Sequence, residues 1–225
     1  MRARKYRAVL FDVYGTLLDV HGVSIAAEAA FPGKGLAVSQ NWRRKQIEYS
    51  WLRTLAGRHA DFWQVTGDAL DYAAADMNLD LDLPTRATLM EAYRELPPFK
   101  DAAAALQELA GRAVPCAALS NGTPEMLERA LSAAGLRGLL DDVLSVESVG
   151  RFKVAPEVYQ MAPDRYGGTA QDFLLVSSNG WDVAGATIFG FDTFWINRSN
   201  APTERLGLSP TAVGTSLTDL LGWLT

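Results

Sequence analysis

Ala8-Val9-Leu10-Phe11-Asp12-Val13-Tyr14-Gly15-Thr16-Leu17 is the stretch from which the rest of the chain is read. Four apolar residues closed by a carboxylate and a glycine-containing turn describe a buried strand whose carboxyl end opens on Asp12. Ligands of open α/β sheets gather beyond the carboxyl ends of the strands, so an acid at that point meets substrate. Asp12 therefore stands where a nucleophile would. In isolation it also suits a turn former or a helix N-cap, and the rest of the chain decides between these.

Further short apolar runs lie at residues 117–119, 143–146, 173–176 and 193–196, each the length of a buried strand. Helical patterns separate them. Residues 100–112 carry apolar positions at Ala103, Leu106, Leu109 and Ala110. Thr123-Pro124-Glu125 reads as cap, first-turn proline and first-turn acid of a helix that stops near Gly135, and Pro156 opens another through Tyr159. Strands alternating with helices predict an α/β core with a Rossmann-like, doubly wound parallel sheet and right-handed crossovers. The strand rhythm vanishes over residues 19–97, where helical stretches fall at 42–56, 60–77 and 84–96. The expected organisation is a core of residues 1–18 and 98–225 with a helical cap of residues 19–97 inserted after the first strand. Such an insert would cover the active face as a lid. No internal repeat or low-complexity tract is present.

A chain of 225 residues can bury one large core with a smaller lobe, and 48% hydrophobic with 21% charged residues describes an ordinary globular protein. The net charge of -5, without a basic stripe, argues against a nucleic-acid partner. No stretch of transmembrane length is free of charges, which argues against a membrane. Met1-Arg2-Ala3-Arg4-Lys5 is basic, but the apolar run behind it is too short for a secretion signal and ends on Asp12. The single Cys116 sits in an apolar stretch with no partner for a disulfide, and a cytoplasmic location is expected. His21 and His59 lack metal-ligand spacing, and Asp19 reads as structural.

Four segments fall on one edge of the predicted sheet: Asp12-Val13-Tyr14-Gly15-Thr16, Ser120-Asn121-Gly122, Lys153 six residues before Tyr159, and Ser177-Ser178-Asn179-Gly180-Trp181-Asp182. The order resembles the haloacid dehalogenase superfamily: an aspartate nucleophile, a serine or threonine, a lysine and an acidic loop. With Gln46-Ile47-Glu48-Tyr49-Ser50-Trp51-Leu52-Arg53 and Phe194-Trp195-Ile196-Asn197-Arg198, the chain resembles more closely the L-2-haloacid dehalogenase family, from about residue 6 to its carboxyl end. One departure is Val154, where the family usually has proline; here the proline is displaced to Pro156.

The resemblance implies a catalytic set of Asp12, Thr16, Arg43, Ser120, Asn121, Lys153, Tyr159, Ser177, Asn179 and Asp182. It implies a substrate-binding set of Val13, Tyr14, Arg43, Ile47, Phe62, Ser120, Asn121 and Trp181. The implied reaction converts a short L-2-haloalkanoic acid to a D-2-hydroxy acid with release of halide. The residue types suit it. A carboxylate of ordinary pKa about 3.9 is already ionised at neutral pH, so Asp12 needs no activating base. Lys153 would keep it ionised and oriented. Ser120, with loop amides near Tyr14 and Asn121, suits the substrate carboxylate, which Asp12 repels. Arg43 and Asn121 are the family's acceptors of the departing halide, and Ile47, Phe62 and Trp181 its apolar wall. Arg44 lies beside Arg43, but neighbours on a helix point about 100° apart, so only one faces inward; Arg43 is the choice. Asp182 is the expected base for hydrolysis of the aspartyl ester, held near Lys153 with Asn179, Ser177 and Tyr159 as orienting partners.

No metal and no cofactor are expected. Phosphatases of the superfamily bind Mg²⁺ through the nucleophile and acids of the fourth segment, and carry a second aspartate two residues after the first. This chain has Tyr14 at that second position and Ser177-Ser178-Asn179 where acids would cluster. A Mg²⁺-dependent phosphatase and a non-catalytic binding protein on the same fold remain the alternatives. Apolar Trp51, Leu52 and Leu55 on a predicted helix of the insert, with the resemblance, suggest a homodimer.

Overall fold

The computed structural model describes residues 6–224, and the basic residues 1–5 lie outside it. Strand β1 (Ala8–Phe11) is wholly buried and runs through the centre of the sheet. Its neighbours are β2 (Cys116–Ser120) and β4 (Phe173–Ser177), paired parallel with β1 in registers that align Phe11 with Ala118 and Val176. Outside them lie β3 (Asp142–Ser145), β5 (Asp192–Ile196) and β6 (Ala212–Gly214), giving the order β3-β2-β1-β4-β5-β6 with every pair parallel. From β1 the chain winds outward through β2 and β3, then crosses back to β4 on the other side. The sheet thus changes direction between β1 and β4, and Asp12 stands in the crevice this creates.

The crossover helices are α5 (Ala102–Gly111), α6 (Pro124–Ala133), α7 (Pro156–Tyr166) and α8 (Gly180–Phe189), with α9 (Leu217–Trp223) at the end. Thr123 caps α6 through Met126 N, with Pro124 in the first turn, as the residue types require. The predicted strands are all present, with ends that shift by a residue or two. Val146 leaves the strand and begins a single 3₁₀ turn, because Ser145 turns its hydroxyl onto Glu147 N. β6 and α9 were not expected from the pattern. β6 is a three-residue edge strand, too short to show a period, although Ser216 and Asp219 form a capping box at α9.

Between β1 and α5 the described residues form α1 (Val23–Ala30), α2 (Gly35–Ala56), α3 (Phe62–Asp76) and α4 (Leu83–Arg94), four helices where three were expected. α1 was not among the helices expected, and no side chain caps it. α2 begins seven residues earlier than predicted, at Gly35, for a tertiary reason. The Glu28 carboxylate of α1 accepts from Gly33 N at 2.6 Å and Gly35 N at 2.8 Å, so the cap of α2 comes from another helix. A side chain at Gly35 would strike the Glu28 backbone at 2.6 Å, so α1 and α2 approach as closely as they do only because glycine stands there. The two chain crossings between this helical segment and the sheet are bonded side by side: Asp19 N donates to Pro97 O at 2.8 Å, and Phe99 N to Leu17 O at 2.9 Å. No helix among the described residues is long and apolar enough to cross a membrane.

Candidate active site

Asp12 leaves β1 almost wholly buried, with both carboxylate oxygens engaged. Oδ1 accepts from Lys153 Nζ at 3.0 Å. Oδ2 accepts from Thr16 Oγ1 at 2.9 Å and Asn179 Nδ2 at 2.7 Å. The turn after β1 supplies Thr16, because the Val13 carbonyl gathers the amides of Thr16, Leu17 and Leu18 and folds the chain back on itself. The loop after β4 supplies Asn179, and Ser178 N donates to Thr16 Oγ1 at 2.8 Å, tying the two loops together. Ser177 contributes through its hydroxyl, which accepts from Asn179 N at 3.1 Å.

Lys153 also donates to Asp182 Oδ2 at 2.8 Å, so one buried ammonium lies between two buried carboxylates. Burial opposes the charge on Lys153, but Asp12 and Asp182 outweigh it and hold the ammonium above its ordinary range. Burial is the largest influence on Asp182 and, with the charge of Asp12, outweighs the Lys153 ammonium, so this carboxyl titrates above the ordinary carboxylate range. Tyr159 OH donates to Asp182 Oδ1 at 2.9 Å. Burial, and then Asp182, hold that phenol well above its usual value, so it remains a donor. The Lys153–Val154 peptide bond is cis, and Val154 packs with Tyr159 against α8 at Gly185.

In front of Asp12 lies a cleft walled by Tyr14, Ser120 and Asn121 from the sheet edge, Trp181 from α8, and Arg43, Ile47 and Phe62 from the helical segment. Arg43 and not Arg44 turns inward: its Nη2 donates to Tyr14 O at 3.1 Å, whereas Arg44 is 59% exposed and bonded to Asn41. Asn121 Oδ1 accepts from Lys153 N at 2.9 Å, which leaves its amide Nδ2 as a donor toward the cleft. Ser120 Oγ accepts from Gly122 N at 3.2 Å, so its hydroxyl proton is likewise available. The predicted residues sort into two layers. Tyr14, Arg43, Ile47, Phe62, Ser120, Asn121 and Trp181 line the cleft with Asp12, while Thr16, Lys153, Tyr159, Ser177, Asn179 and Asp182 lie behind it, around Asp12 and its hydrogen-bond partners. Val13 does not join them: its side chain is fully buried in the core and lies off the cleft.

Two lining residues were not expected in the site: Ser50, and Trp51, which the sequence suggested only for a dimer face. With Arg43 and Ile47 they stand at i, i+4, i+7 and i+8 of α2, one face of a helix, and that spacing was the available signal. Trp51 meets Trp181 edge-on at 5.7 Å between centroids, closing the cleft from opposite sides. Glu147 was also missed. From the turn after β3 it accepts from Phe62 N at 3.3 Å and meets His59 Nε2 at 3.0 Å, joining the sheet edge to the start of α3.

A metal ion fits this donor set poorly. Lys153 already contacts both carboxylates that a divalent cation would have to share, and the loop after β4 adds neutral Ser177, Ser178 and Asn179.

The fold and this arrangement are those of a haloacid dehalogenase-like hydrolase, whose family model matches residues 6–190. Within that class, the chain belongs to the L-2-haloacid dehalogenase family. It is 44% identical to an (S)-2-haloacid dehalogenase of Pseudomonas sp. (strain YL) over 94% of this chain and 91% of that one. The crystal structure of the L-2-haloacid dehalogenase RSc1362 superposes with a TM-score of 0.95 at 48% identity, covering 98% of this chain and 99% of that one. That of the enzyme of Xanthobacter autotrophicus, with chloropropionic acid covalently bound, superposes with a TM-score of 0.89 at 40% identity over 96% of each chain.

Proposed function

We propose that this protein is an (S)-2-haloacid dehalogenase that hydrolyses short L-2-haloalkanoic acids to D-2-hydroxy acids through an ester on Asp12. The observation that carries the reading is Lys153 held between Asp12 and Asp182 behind a cleft that, Asp12 itself apart, offers donors and apolar groups to an incoming anion.

In the first step Asp12 displaces halide from the α-carbon in line, inverting it. Oδ2, with two neutral donors, is suited to become the ester carbonyl, which leaves Oδ1 as the attacking oxygen. Ser120 and neighbouring loop amides hold the substrate carboxylate. The Arg43 guanidinium and the Asn121 amide receive the departing halide, while Ile47, Phe62 and Trp181 enclose the α-substituent. In the second step water attacks the ester carbonyl carbon of Asp12. Asp182 takes the proton, a task to which a raised carboxyl pKa is suited. Thr16 and Asn179 hold the developing oxyanion; collapse breaks the bond to the α-oxygen, which takes the proton back from Asp182 and leaves as the hydroxy acid, while the restored Asp12 carboxyl loses its proton to solvent as the carboxylate.

Residues 19–97 act as a cap in this reading, because they contribute Arg43, Ile47 and Phe62 to a cleft whose nucleophile comes from the sheet. Leu52, Leu55 and Trp51 are exposed on α2 and support a homodimer formed through it. The lone, buried Cys116, whose thiol burial and then Asp141 push up to about 12, supports a cytoplasmic protein.

The deciding experiment follows chloride release from L-2-chloropropionate in the presence of EDTA. Turnover that survives chelation supports the reading. Loss on chelation, with hydrolysis of a phosphate ester restored by Mg²⁺, would replace it with a phosphatase; silence in both would leave a binding protein.

A further inference from the structure

Behind Arg43 the helical segment encloses a chain of hydrogen bonds that the reaction above does not use. Gln46, one turn along α2, is fully buried. Its Oε1 accepts from Arg43 Nη1 at 2.7 Å and from Tyr93 OH at 2.9 Å, and its Nε2 donates to Thr66 Oγ1 at 2.7 Å. The Thr66 hydroxyl already gives its proton to Phe62 O at 2.6 Å, so toward Gln46 it can only accept. This fixes the amide: nitrogen faces Thr66 and oxygen faces Arg43. The remaining contacts of the guanidinium are the neutral oxygens of Tyr14 O at 3.1 Å, Asn179 Oδ1 at 3.5 Å and Tyr93 OH at 3.5 Å. No carboxylate among the described residues pairs with it. A cation aimed by neutral acceptors keeps its charge for an incoming anion; a carboxylate in the place of Gln46 would aim it equally well and neutralise it.

We propose that Gln46 is the positioning residue of the halide site: it directs the Arg43 guanidinium into the cleft while leaving its positive charge uncompensated, and the displacement step depends on residue 46 being a neutral acceptor. This rests on Arg43 as the halide acceptor. Because halide leaves only in the first half-reaction, the dependence falls on ester formation and not on ester hydrolysis.

The test is single turnover of the full chain, enzyme in excess over L-2-chloropropionate, with quenched samples followed by mass spectrometry of the peptide carrying Asp12. Gln46→Glu, nearly isosteric, is expected to slow ester formation at least tenfold, more than Gln46→Leu does, while ester decay stays within about twofold of wild type. Equal slowing of both steps, or ester formation within twofold of wild type, would overturn the proposal by reducing Gln46 to a structural residue. Should Gln46→Glu fail to fold, Tyr93→Phe decides. It leaves Gln46 Oε1 with Arg43 as its one donor, the Thr66 bond being kept, and is expected to slow ester formation about threefold with decay unchanged; no slowing overturns the proposal. Arg43→Ala separates this inference from the reading beneath it. Wild-type ester formation in that variant removes the halide assignment, and slow formation there with normal formation in Gln46→Glu removes only the role of Gln46. Absence of any ester in the wild type would sink the dehalogenase reading itself.

Discussion

Lys153 Nζ lies 3.0 Å from Asp12 Oδ1, and its side chain is 1% exposed. A charge so far from water persists because Asp12 and Asp182 both face it; remove it and two buried carboxylates confront each other. Lys153→Met is therefore expected to destabilise the fold by about 3–5 kcal/mol and abolish turnover. Adding Asp182→Asn to that variant should restore much of the melting temperature without restoring activity. Thermal denaturation of the single and double variants checks this, and a double variant no more stable than the single one would contradict it.

Asp12→Asn keeps the shape of the nucleophile and removes its charge. Turnover should fall by roughly 10⁴ or more, the scale seen when a covalent nucleophile is lost. In ¹⁸O water, a single turnover of the wild type should label Asp12 before it labels the hydroxy acid. Label arriving first in product would mean that water attacks the α-carbon directly.

Asp182 titrates above the ordinary carboxylate range, and the Tyr159 hydrogen bond favours its ionised form. In the proposed mechanism Asp182 acts ionised and is lost as pH falls, so the acidic limb of kcat should lie above the range of an exposed aspartate. Tyr159→Phe removes a donor to the ionised carboxylate and should move that limb to still higher pH. A limb that stays in place, measured as kcat against pH, would exclude Asp182 as the group titrating there.

Gly185 lies on α8 where an added Cβ would come within 2.6 Å of both Tyr159 OH and Val154 Cβ. Either contact can be relieved only by moving a neighbour of Asp182 or of Lys153. Gly185→Ala is expected to cost about 1–3 kcal/mol of stability from overpacking. It should also lower kcat more than it raises KM, because in the proposed mechanism the displaced groups serve the reacting atoms and not substrate contacts. Denaturant unfolding with steady-state kinetics measures both.

Asp101 receives both Nη atoms of Arg198 at 2.9 Å and Leu217 N at 2.8 Å. Burial opposes its charge, but these donors outweigh it and hold the carboxyl below the ordinary range. Its contribution is therefore fully present above its unfolded pKa of about 3.9 and is lost as pH falls through the lower folded value. Asp101→Asn should cost about 2 kcal/mol at neutral pH and progressively less below about pH 4. Denaturant melts of both proteins across that range test the sign, and a gap that widens in acid would refute it.

The central strands and the four segments at their carboxyl ends were legible because each is a local pattern. An apolar run ending in a carboxylate or serine needs no knowledge of the fold to be recognised. The choice of Arg43 over Arg44 needed the resemblance, and the structure accounts for it by the Tyr14 carbonyl and by the Gln46 amide bonded in turn to Thr66 and Tyr93. Val13 came from the resemblance alone, and its side chain packs in the core beside the turn instead of lining the cleft.

The sequence by itself determined the order of elements, the buried strands and the residue types gathered at one sheet edge, since these follow from hydrophobic period and turn chemistry. Only the tertiary structure decided where α2 begins and which polar groups point at which. Those outcomes depend on atoms far apart in the chain, such as Glu28 capping another helix or Lys153 meeting Asp12 across 141 positions, and no local pattern encodes them.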